Sequence, residues 1–169
     1  SEVISLSRWM AADLYLRDIR KLLNELSMWD CTEELRLEAD KLSTNNTRNS
    51  KEPYRLILSQ LRKKLNATLE WSADQAKGLT GDNSDILVDI DELLNPLLLC
   101  HRSLSETGLK SVANGLLLDT IRRARCFGLS LVKLDIRQDS ERHLDVMSSL
   151  TSYLGLGDYK QWDEHARQA

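Results

Sequence analysis

No apolar run in this sequence approaches the roughly 20 residues that a membrane-spanning helix requires. Its first ten residues, SEVISLSRWM, have neither the basic start nor the apolar middle of a secretory signal. A soluble, cytoplasmic protein with no membrane partner is the expectation. Net charge is also scarce: 23 basic and 26 acidic side chains leave −3. That balance gives no global attraction to nucleic acid, so any anion site has to be local. The three cysteines, Cys31, Cys100 and Cys126, make no CxxC and no Cys/His cluster of the kind that closes on zinc. They read as buried thiols. Asn45 and Asn66 match the glycosylation pattern, which means little without a secretory signal. Internal repeats are absent. What remains is 169 residues, 41% hydrophobic and 29% charged, the composition of an ordinary domain with a real core.

Apolar spacing of three and four organises most of that core. Leu6, Trp9, Ala12, Leu16, Ile19, Leu23 and Leu26 predict a helix over 5–28, with Arg17, Lys21, Asn24 and Glu25 on its wet side. Thr32 is placed to cap a short helix reaching Asp40. The polar stretch Ser43 to Pro53 reads as a loop. Pro53 then opens a long helix with Ile57, Leu61, Leu65 and Leu69 on one face, fading near Gly78. A third helix should turn Leu94, Leu97, Leu98, His101 and Leu104 inward and stop at Gly108, with Pro96 in its first turn or at a kink. Leu109 to Phe127 is helical again, divided by the breaker Asn114-Gly115 and ended by Gly128. Ser140 to Leu154 and Asp158 to about Gln168 complete the helices, separated by Gly155-Leu156-Gly157.

LVKLDIRQDSERH, from Leu131 to His143, breaks the pattern. Leu129 to Ile136 alternates as a strand does, with Val132, Leu134 and Ile136 on one face and Lys133, Asp135 and Arg137 on the other. A single strand cannot satisfy its own ladder, so its partners are expected outside this chain. Helix, glycine, strand, polar turn and helix in succession suit a parallel sheet or barrel, whose ligands gather at the strand's carboxyl end. Arg137 sits at that end, and its guanidinium suits a phosphate or carboxylate.

LDIRQDSERH, followed after a helix by YLGLGDYKQW, resembles the bacterial phosphoenolpyruvate carboxylases; LSRWMAADLYLRDI, EPYRLILSQLRKKL and NGLLLDTIRRARCFG are similar to that family as well. The resemblance covers nearly the whole chain and implies an interior fragment of about a fifth of a family member. It implies an eight-stranded α/β barrel with many additional helices. The fragment itself is then mainly α with one parallel-type strand, divided into a helical region 1–128 and a strand, turn and following helices over 129–169. The implied activity adds bicarbonate to phosphoenolpyruvate, giving oxaloacetate and phosphate, in a homotetramer that requires magnesium or manganese. By the same resemblance Arg137 contacts the substrate phosphate. The family's His-Pro-Thr motif is missing, since His101, His143 and His165 precede Arg102, Leu144 and Ala166. The Gly-Arg-Gly-Gly loop and the acidic metal ligands belong to later segments. No catalytic residue or metal ligand is therefore expected here, and the chain alone should be inactive.

Structural readings stand beside these. Asp135 suits a salt bridge to Arg137 or Lys133 better than metal ligation. Gln138, Ser140 and Arg142 are candidate site residues in the turn, although Asp139 or Ser140 also suits a helix cap. Arg122, Arg123 and Arg125 favour a helix C-terminus whatever their function. Asp82, Asp85, Asp89, Asp91 and Glu92 lack EF-hand spacing and read as the solvated start of a helix. The tryptophans read as core or interface. The competing hypothesis is a free-standing helical interaction module without catalysis, which a complete dry core and no exposed strand edge would favour.

Overall fold

The computed structural model describes residues 2–43, 52–79, 84–131, 140–163 and 166. The chain divides into two compact units, Ser1–Lys133 and Leu134–Ala169.

The first unit contains α1 (Glu2–Glu25), α2 (Glu33–Leu42), α3 (Pro53–Ala76), α4 (Asp91–Glu106), the single turn α5 (Lys110–Val112), a π turn (Ala113–Leu117) and α6 (Leu118–Phe127). The most extensive packing is between α1 and α3. Leu16, Ile19 and Leu22 from α1 join Leu58, Leu61 and Leu65 from α3 in one core cluster. Burying each such side chain contributes about 1.5–3 kcal/mol. Thr32 caps α2, its side chain accepting from the Leu35 amide, and Pro53 occupies the first turn of α3, both as the sequence predicts.

Two inward faces differ from expectation. On α1, Leu6 and Trp9 are exposed while Ala11, Tyr15 and Leu22 are buried. In the first half of this helix apolar residues are scattered around the whole circumference among Glu2, Ser5, Ser7, Arg8 and Asp13, so periodicity does not select a face there. Packing places the small Ser7 and Ala11 inward instead. On α4, Cys100 and Ser103 take the inward positions, and the imidazole of His101 turns to Asn114, with Nε2 3.2 Å from Oδ1. Pro96 lies in the second turn rather than the first. Cys126 is exposed and Cys31 partly so, which leaves Cys100 as the one fully buried thiol of the three. Trp29 is also exposed, at 73%.

The Asn114-Gly115 breaker appears as the π turn, where Gly115 departs from helical geometry at φ −84°, ψ −135°. Gly128 ends α6 at φ 62°, ψ −151°, a conformation open essentially to glycine alone. The strand expected from Leu129 is not seen among the described residues. Leu129 lies in the turn after α6, and Ser130 and Leu131 join no ladder, as follows for a segment with nothing to pair against. Residues 132–139 lie outside the described residues, as do 44–51 of the expected Ser43 to Pro53 loop.

The second unit contains α7 (Ser140–Tyr153), a turn with positive φ at Gly155 and Gly157, and a single 3-10 turn at Tyr159–Gln161. The longer helix expected after Asp158 does not extend through Trp162 and Asp163. Asp158 accepts from the Lys160 amide at 3.0 Å, and the Trp162 ring packs 5.4 Å from that of Tyr159. These local bonds compete with a continuing helix.

Candidate functional site

The sequence gathers its site candidates around one turn. Lys133, Asp135, Arg137 and Gln138 lie outside the described residues. Ser140 is the first residue of α7, and Arg142 follows it, exposed, in the first turn. Arg142, His143, Asp145 and Val146 line a hollow of about 480 Å³. Asp145 is paired with Lys160 at 2.5 Å, both well exposed, so its charge is offset by a neighbour within the same unit. Further along α7, the Thr151 hydroxyl donates to the Met147 carbonyl at 3.0 Å and accepts from the Tyr159 amide at 3.2 Å. The Ser148 hydroxyl donates to Asp158, which holds that carboxyl below the usual carboxylate range. The C-terminal half of α7 and the turn after it are thus tied together by side-chain bonds.

In the first unit, the chain's exit from α6 is fixed by α1. The buried Tyr15 hydroxyl donates to the Gly128 carbonyl at 2.7 Å and lies 3.5 Å from the Arg123 carbonyl. Burial pushes the Tyr15 hydroxyl up to about 12. Three residues along the same helix, Asp18 accepts from the Arg123 guanidinium and from the Thr120 hydroxyl, the latter at 3.4 Å. Arg122 bonds to Asp119 at 3.4 Å. Of the arginine cluster, then, Arg122 and Arg123 serve structural pairings, as the sequence favours. Nothing in the local sequence marks Tyr15 or Asp18 for this role, because their partners lie more than 100 residues away.

A second hollow, about 630 Å³, opens among α2, α3 and α4. Lys64 and Glu92 meet across it at 2.5 Å, and Arg102 and Glu34 at 2.6 Å. Glu92 also accepts from the amides of Val88 and Asp89, at 2.9 and 3.1 Å. The Lys64 bond and these two amides hold its carboxyl down to about 2. This acid closes the start of α4, in agreement with the sequence reading of the acidic run. Its basic groups already have acidic partners, so the hollow offers an anion little. Among the described residues, no three His, Cys, Asp or Glu side chains are placed to hold a metal ion, and no helix is long and apolar enough to cross a membrane.

Comparison with known proteins places the whole chain. The family model for phosphoenolpyruvate carboxylase matches residues 1–169. The phosphoenolpyruvate carboxylases of Marinobacter nauticus and Hahella chejuensis are 53% and 52% identical over 168 residues, and that of Acinetobacter baylyi is 53% identical over 167. Each alignment covers 99% of this chain and 18% of the relative, so the chain spans under a fifth of the curated proteins it matches. With identity above one half sustained from end to end, the chain belongs to the phosphoenolpyruvate carboxylase family.

Proposed function

We propose that this chain is a segment of a phosphoenolpyruvate carboxylase, the enzyme that joins bicarbonate to phosphoenolpyruvate and yields oxaloacetate and inorganic phosphate. The observation that carries this reading is 53% identity to such an enzyme across 99% of the chain. In the parent, residues 131–137 form one strand of an α/β barrel, with the region 1–128 as a helical buttress. Arg137 stands at the strand's carboxyl end and grips two phosphate oxygens with its planar fork. Each such charge-assisted bond contributes about 1.5–3 kcal/mol. Lys133 and Asp135 support it from the same face of the strand. Gln138, Ser140 and Arg142 follow in the turn as further candidates for substrate contact.

The rest of the parent supplies the catalytic histidine, the mobile glycine-rich loop and the ligands for magnesium or manganese. Among the described residues no group of side chains is placed to hold that metal. The parent is a cytoplasmic homotetramer without nucleic-acid or membrane partners, and this chain alone is inactive. Uncovered apolar side chains support a segment over a self-contained module. Val3, Leu6 and Met10 on α1, and Val146, Leu150 and Leu154 on or just after α7, are all about half exposed or more.

The test is kinetic, in the full-length enzyme at saturating metal. Arg137→Lys keeps the charge but loses the fork, so kcat/KM for phosphoenolpyruvate should fall by at least about tenfold, equivalent to roughly 1.4 kcal/mol. Arg137→Ala should lose more. Normal substrate use by folded Arg137→Ala enzyme, with thermal stability lowered alike in Asp135→Asn and Arg137→Ala, would make the arginine structural.

A further inference from the structure

We propose that one buried water binds between α1 and α3, held by the hydroxyls of Ser7 and Ser72 and by Nε of Arg8. All three atoms are buried, and none has a hydrogen-bond partner among the described residues. Ser72 is fully buried and Ser7 is 9% exposed. Arg8 brings them to one end of the helix pair, because its guanidinium lies 5.0 Å from the centre of the Trp71 ring. The start of α1 thus stands beside the end of α3, and two helices that pack so extensively from that point run antiparallel. Ser7 adjoins Arg8 as Ser72 adjoins Trp71.

The buried side chains at this end are small as well as polar. Ser7 and Ala11 on α1, and Thr68 and Ser72 on α3, take the buried positions that Tyr15, Leu22, Leu58 and Leu65 fill further along. Thr68 is already satisfied, donating to the Lys64 carbonyl at 2.8 Å and accepting from the Leu87 amide at 2.9 Å. Arg8 donates through a terminal nitrogen to the carbonyl of the same Leu87, which leaves Nε for another acceptor. Buried polar atoms without partners destabilise a fold, and a water that bonds about three of them removes the penalty. Water also has the right chemistry. It accepts from Nε and from one hydroxyl while donating to the other, whereas a cation could accept from neither. Bound there, it would fix the arginine whose other end, with Thr68, holds the Leu87 peptide in place ahead of α4.

The test is a crystal structure of the full-length enzyme at a resolution that shows ordered water, and it does not depend on the role of Arg137. One density peak should lie within about 3.2 Å of both hydroxyls and of Nε. No peak, or one that misses any of the three atoms, would overturn the proposal. A bromide-soaked crystal should give no anomalous signal at the site; a signal there would make the guest an anion and overturn it equally. In solution, Ser7→Ala and Ser72→Ala should each speed heat inactivation of the full-length enzyme about fivefold, and the double variant should fall well short of the twenty-fivefold product, because both changes act on one water. Rates that multiply fully, or single variants as stable as the parent enzyme, would mean that the hydroxyls share no guest.

Discussion

Removing a single oxygen from Ser103 should cost this chain more than its size suggests. Ser103 is fully buried on α4, and its Oγ accepts from the Thr32 amide at 2.9 Å and sits 2.8 Å from the Tyr54 hydroxyl. Three helices meet through one atom: the cap of α2, the first turn of α3 and the last turn of α4. In Ser103→Ala the Tyr54 hydroxyl, itself fully buried, loses that partner. An unsatisfied buried hydroxyl costs about 1–3 kcal/mol, whereas the half-buried Thr32 amide regains water and loses about 0.5 kcal/mol. Together these bring the expected total to about 2 kcal/mol. Urea unfolding followed by helical circular dichroism measures it, with Ser105→Ala as control, since Ser105 bonds the His101 carbonyl of its own helix, at 2.8 Å. The double variant Ser103→Ala/Tyr54→Phe should be less destabilised than the sum of the singles by at least about 0.5 kcal/mol. A loss for Ser103→Ala no larger than the control, or strict additivity, would refute the idea of a shared buried hub.

Glu92 should give the first unit an acid-sensitive component. Its folded pKa of about 2 lies below its ordinary value of 4.5, so its stabilisation is present above about pH 4.5 and is lost as pH falls toward 2. With the carboxylate 31% exposed, solvent screening reduces this to about 1–2 kcal/mol. The stability gap between the native chain and Glu92→Gln, measured by urea unfolding at pH 7 and pH 3, should therefore shrink on acidification; a constant gap would contradict it. Asp145→Ala should change stability little, because Asp145 and Lys160 are 63% and 50% exposed. Its salt dependence should vanish with the pair, and a larger, salt-insensitive loss in thermal melts would show that Asp145 does more than meet Lys160.

Helix positions were legible in the sequence wherever periodicity and punctuation agreed. Pro53, Thr32, Asn114-Gly115 and Gly128 each mark a boundary that the structure keeps. Facing was less legible. His101 and Cys100 are neighbours on α4, and the choice between them depends on Asn114 and on the Tyr54–Ser103 bond, both distant in sequence or on another element. Likewise Leu6 reads as core because it is apolar, but packing against α3 selects the smaller Ser7 and Ala11. The helix expected from Asp158 to about Gln168 is interrupted at Trp162 and Asp163, because a propensity pattern takes no account of an aspartate side chain that closes a turn on itself. Of the candidate site, its residue types and order came from the sequence; the hydrogen bond from Tyr15 to Gly128 did not, since a hydroxyl's partner 113 residues away leaves no local trace.

The kink at Gly115 sets a limit on how this family segment can change in length. Each residue of an α-helix turns the chain by about 100°. Losing or gaining one residue between the kink and Thr120 would therefore rotate Thr120 and Arg123 by that angle about the axis of α6. Both would then swing away from Asp18. A change of length should be tolerated far better in the chain before the kink than between the kink and Thr120.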